Sequence, residues 1–128
     1  MRIASILGAA VVGLWPGLAL AFDMSDFTLK TTEDLYQVCA VPHGDPMYPQ
    51  ASAFCEGFLA GVVGYHDGVV DRKHLKPLIC YPKTATRDEA IAAFVSWAAS
   101  VQQNQKYMNE PPAYGAVRGL AHKWPCSN

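Results

Sequence analysis

Ser52-Ala53-Phe54-Cys55-Glu56-Gly57-Phe58-Leu59-Ala60-Gly61-Val62-Val63-Gly64-Tyr65-His66-Asp67-Gly68-Val69-Val70 is the stretch that decides the fold class. Phe54, Phe58, Val62, Tyr65 and Val69 recur every three or four residues, the period of a helix face. A second stripe runs through Gly57, Gly61, Gly64 and Gly68. Each glycine costs a helix about 1 kcal/mol relative to alanine. The stripe therefore predicts a surface along which a neighbouring helix approaches closely, in a core rather than in a membrane. The alternative is that the glycines break the segment into a shorter helix and a turn.

Three further helices flank this one. Thr31-Thr32-Glu33-Asp34 has a threonine cap with an acid three residues on, a capping box, and Leu35, Tyr36, Val38 and Cys39 follow it as an apolar face. Pro42, Gly44, Pro46 and Pro49 then predict a loop. Pro77 and Pro82 mark a linker from Asp71 to Ala85. Thr86-Arg87-Asp88-Glu89 is a second capping box, with acids where the helix dipole favours them. Ile91, Phe94, Val95, Ala98 and Val101 supply the buried face of that helix. A last helix is predicted from Pro112 to Lys123, with Ala113, Val117, Leu120 and Trp124 on one side. No segment reads as a strand. The expectation is an all-α fold, a small four-helix bundle.

The first 21 residues read as a leader rather than as part of that bundle. Met1-Arg2 is basic, Ile3 to Leu14 is uncharged and apolar or small, and Ala19-Leu20-Ala21 is a small-x-small processing site. The apolar run is shorter than the ~20 residues that span a bilayer, so no stable membrane anchor is expected. Cleavage after Ala21 leaves one domain, 22–128, exported to the periplasm. Loss of Arg2 leaves nine basic against eleven acidic residues, a net charge of -2, which argues against nucleic-acid binding.

Cys39, Cys55, Cys80 and Cys126 all follow the leader. An even count in a short exported chain reads as two disulfides. Zinc sites usually take a ligand pair from one tight turn, whereas the closest cysteines here stand 16 positions apart. Helices joined by short loops run antiparallel. Cys39 and Cys55 then share one end of the bundle and Cys80 and Cys126 the other, and the predicted pairs are Cys39–Cys55 and Cys80–Cys126.

No catalytic constellation is visible. The chain has no nucleophile elbow, no HExxH zinc motif and no phosphate loop, and bridged cysteines leave no thiol nucleophile. His43, His66, His74 and His122 are scattered. His66 and Asp67 are adjacent in sequence, and neighbours on a helix are not expected to face each other. Asp67 and Asp71, four apart, read as a solvated face, and so does the charged run 71–76. No catalytic, cofactor-binding or metal-binding residue is expected.

Four pieces of sequence carry a family resemblance. They are Thr32-Glu33-Asp34-Leu35-Tyr36-Gln37-Val38-Cys39, Cys55-Glu56-Gly57-Phe58-Leu59-Ala60-Gly61, Ile79-Cys80-Tyr81-Pro82 with the capped helix after it, and Trp124-Pro125-Cys126. In order and spacing they resemble the Rap1a/Tai immunity proteins of type VI secretion. The resemblance implies a periplasmic helical bundle that binds an effector toxin, a peptidoglycan amidase, and occludes its active site. Tight one-to-one or two-to-two complexes are expected, the latter through a homodimer. A rigid scaffold presents its contacts from loops, and the candidates are Val41–Gln50, Asp71–Lys76 and Gln102–Glu110. The competing function is a small acid-stress chaperone of the HdeA type, a shorter helical protein with a single disulfide. An enzyme is a third reading, supported only by the histidines and carboxylates.

Overall fold

The computed structural model describes residues 23–127, and the expected leader, residues 1–21, lies outside them. A 3-10 turn at Met24–Thr28 precedes five helices: α1 (Thr32–Cys39), α2 (Tyr48–Lys73), α3 (Arg87–Ser100), α4 (Gln105–Met108) and α5 (Pro112–Lys123). Among the described residues there is no strand, and the fold is all-α.

Both predicted capping boxes form. The Thr31 hydroxyl accepts from Asp34 N–H at 3.2 Å, and the Asp34 carboxylate accepts from Thr31 N–H at 3.0 Å. Thr86 and Glu89 repeat the exchange at the start of α3, at 3.2 and 2.8 Å. Each box satisfies two of the backbone donors that a helix start leaves unpaired. α2 begins four residues earlier than expected. Pro49 stands in its first turn, where a missing N–H costs nothing. α4 was not foreseen; it is one turn, capped by the Asn104 side chain onto Lys106 N–H.

Leu35 and Val38 of α1, Leu59 of α2, Phe94 and Trp97 of α3 and Met108 of α4 meet in the core. The disulfides are the predicted ones, Cys39–Cys55 and Cys80–Cys126, with Cα atoms 5.2 and 5.0 Å apart. A backbone bond from Cys80 N–H to the Trp124 carbonyl, 3.0 Å, aligns the second bridge.

Two buried faces differ from the expected ones. α2 buries Ala51, Cys55 and Leu59, while Phe54 is exposed, Tyr65 is 77% exposed and Phe58 and Val62 are only half-buried. The bridge to Cys39 turns Cys55 inward and fixes the register of the helix. Phe54 instead meets Phe27 edge-to-face at 5.1 Å. α5 buries Gly115, Ala116, Gly119 and Leu120; of the expected face only Leu120 is fully buried.

The glycine prediction is overturned. Among the described residues a Cβ placed on Gly57, Gly61, Gly64 or Gly68 meets nothing within 4 Å, so that stripe packs against none of the other described helices. Close approach occurs at α5. A Cβ on Gly119 would lie 3.0 Å from the Phe94 Cα, and one on Gly115 would lie 2.8 Å from the Thr32 Cβ. Thr32 cannot retreat easily, because its hydroxyl donates to the Glu110 carbonyl at 3.1 Å and its N–H to the same carbonyl at 2.8 Å. Thr32 is also the one fully buried polar side chain among the described residues, and these bonds satisfy it.

Candidate functional site

The segment that follows α2 turns back along it. Tyr81 reaches Asp67 of α2, and Arg87, at the start of α3, reaches Glu56 of α2. Glu56 and Asp67 are three helical turns apart, about 16 Å at 1.5 Å per residue. Between these two polar pairs lies an open groove of about 350 Å³. Leu59, Ile79, Ile91 and Leu120 give it an apolar floor, Trp124 forms part of its wall, and Ala60 leaves it unfilled from the α2 side.

The Asp67 end is a network of four hydrogen bonds. His66 Nε2 accepts from Leu78 N–H at 3.0 Å and from Ile79 N–H at 3.4 Å. An imidazole nitrogen that accepts carries no proton, so the ring proton sits on Nδ1. It is donated to Asp67 Oδ1 at 2.8 Å. The Tyr81 hydroxyl donates to Asp67 Oδ2. That bond, then burial and the carboxylate charge, hold the Tyr81 hydroxyl above the ordinary tyrosine range. The expectation that His66 and Asp67 do not face each other is therefore corrected. Both side chains lean toward the same returning segment, which brings adjacent helix positions together. The expectation that Asp67 is simply solvated is corrected with it, whereas Asp71 is exposed.

His66 is not arranged as a catalytic base. Its accepting nitrogen faces backbone N–H groups rather than a nucleophile, and the four cysteines are all bridged. Among the described residues no three His, Cys, Asp or Glu side chains cluster as a metal site would require. Sequence reasoning missed the groove because its polar partners stand 14 and 31 positions apart and lie on no shared element.

The three candidate contact segments are spread over the molecule. Val41–Gln50 lies beside the Cys39–Cys55 bridge; Val41 is buried, His43 stacks on Tyr48 at 4.2 Å, and its last three residues belong to α2. Asp71–Lys76 comprises the last residues of α2 and its end at His74, whose φ of 50° is left-handed, and all six residues are exposed. Gln102–Glu110 contains α4. Its Glu110 carboxylate holds Arg118 through two bonds, 2.6 and 2.8 Å, and Arg118 lies 4.9 Å from the centre of the Tyr107 ring. The bond from Arg118 keeps the Glu110 carboxyl below the ordinary glutamate range.

A family model described as Rap1a immunity proteins matches residues 31–126. The chain belongs to the Rap1a immunity protein family. The match begins at the capping threonine of α1 and ends at the cysteine that closes the second bridge, so it spans all five helices. No curated protein and no solved structure matches the chain. An immunity protein acts by binding a partner effector, and the Rap1a family membership makes this chain a binding protein of that kind.

Proposed function

We propose that the mature chain, 22–128, acts in the periplasm as the inhibitor of a peptidoglycan amidase delivered by type VI secretion, and that it works by covering the amidase's active site. Membership of the Rap1a family over residues 31–126 is the observation that carries this reading. Two further features support it. Both disulfides suit an oxidising compartment. A bundle pinned by two bridges and two capping boxes loses little conformational freedom on binding, which favours affinity.

The inhibitor binds in a one-to-one or two-to-two complex, with contacts from Val41–Gln50, Asp71–Lys76 and Gln102–Glu110. The test is co-expression in the periplasm with the toxin encoded beside its gene. The full chain is expected to protect the cells, and deletion of residues 1–21 to abolish protection by stranding the inhibitor in the cytoplasm. Protection that survives the deletion contradicts the periplasmic reading. Absence of binding to that toxin, with suppression of acid-induced aggregation instead, favours the chaperone.

A further inference from the structure

We propose that the groove beside α2 is a receptor for one basic side chain, arginine or lysine, presented by the effector. The inference rests on the immunity reading and adds to it the surface and the chemistry that it recognises.

The argument is one of charge and shape together. Two carboxylates line the groove. Glu56 is neutralised by Arg87. Asp67 is not: the two hydrogen-bond partners of its carboxylate are uncharged, His66 with its proton on Nδ1 and a Tyr81 hydroxyl that holds its proton. No lysine or arginine among the described residues lies within ion-pair distance of it. Asp67 is thus a carboxylate held by two hydrogen bonds, 46% exposed, with its charge uncompensated by any cation at the mouth of an apolar groove. Such a charge calls for a cation from outside.

The surroundings narrow the class of cation. Tyr81 and Trp124 both line the groove, with ring centroids 6.2 Å apart and planes inclined at 62°. Aromatic faces attract a guanidinium or ammonium group. The floor of Leu59, Ile79 and Leu120 suits the methylene stem of a long basic side chain, which lies along apolar surface while its head finds charge. The volume, about 350 Å³, stands at the lower end of the range for small-ligand sites, about 300–1,000 Å³. It fits one inserted side chain better than a cofactor. The site is also preformed, because His66 ties the returning segment to α2 at Leu78 and Ile79 before any partner arrives.

The experiment uses the mature, oxidised protein and the purified toxin encoded beside its gene, with binding followed by calorimetry at low and high salt. Asp67→Asn keeps the shape and removes the charge. It is expected to weaken binding about 10- to 100-fold, the usual worth of a charged hydrogen bond, and to flatten the salt dependence. Ala60→Leu, which fills the groove from α2 without touching the network, is expected to weaken binding comparably. Asp88→Asn, exposed in the first turn of α3 and outside both the groove lining and the three candidate contact segments, is expected to leave binding unchanged. Melting curves verify that each variant is folded. Wild-type affinity in both Asp67→Asn and Ala60→Leu overturns the groove assignment while the immunity reading stands. Equal losses in Asp67→Asn and Asp88→Asn also overturn it, since the attraction is then diffuse. A wild-type protein that fails to bind the toxin overturns both readings.

Discussion

Alanine at Gly61 and alanine at Gly115 are expected to move stability in opposite directions. Both residues are helical glycines, so both gain the same propensity on replacement, about 1 kcal/mol. At Gly61 the new methyl meets open space, and the whole gain is expressed. For a domain of this size that is a rise of about 4–8 °C in Tm. At Gly115 the methyl lands on Thr32, which is fully buried and held by the Glu110 carbonyl. Overpacking costs about 1–3 kcal/mol. Displacing the Thr32 hydroxyl from its acceptors adds about 1 kcal/mol. After the propensity gain, Gly115→Ala should be destabilised by about 1–3 kcal/mol. Denaturant unfolding of the mature, oxidised protein measures both, provided that the slope of the transition is unchanged. A destabilised Gly61→Ala would refute the open face of α2, and a stabilised Gly115→Ala would refute the packing of α5 on α1.

Other perturbations follow from the same contacts. Replacing both cysteines of the Cys80–Cys126 pair by serine, which opens a span of 46 positions, should cost about 4 kcal/mol, against about 3 for Cys39–Cys55 with its span of 16; denaturation of the two variants checks the order. Ultraviolet titration should find one tyrosine that ionises above the ordinary range, and Tyr81→Phe should remove it. Because the folded form holds that proton more tightly, the Tyr81 contribution is complete below the unfolded tyrosine range and is lost as pH rises through the folded value. Glu110 has the reverse sign: its contribution is present above the unfolded glutamate range and is lost as pH falls through the lowered folded value, so Glu110→Gln should flatten the acid limb of a stability–pH profile.

The parts of the fold that depend on near neighbours in sequence were legible there. Thr31 and Thr86 cap their helices because hydroxyl and acid stand three residues apart, and that geometry needs no tertiary partner. The cysteine pairing followed from helix order. The facing of α2 did not. Phenylalanine, valine and alanine occupy several sides of that helix, and its rotation is chosen by the Cys55 bridge, which periodicity does not register. The glycines show the same limit. Gly57, Gly61, Gly64 and Gly68 form the more regular stripe, yet Gly115 and Gly119 are the close-packed pair, because Thr32 and Phe94 arrive from other helices. The groove was least legible. His66, Asp67 and Tyr81 gain their roles only when the segment after α2 folds back, and the adjacency rule for helices pointed away from the His66–Asp67 bond.

Inhibition of a peptidoglycan amidase, the proposed partner, tests the central claim most directly. The toxin encoded beside this gene would be assayed on purified peptidoglycan, with released muropeptides counted as the mature, oxidised protein is titrated in. The account predicts that hydrolysis falls linearly to zero at one inhibitor chain per toxin, with the substrate untouched by the inhibitor alone. Hydrolysis that continues at full rate with the inhibitor in molar excess would contradict it.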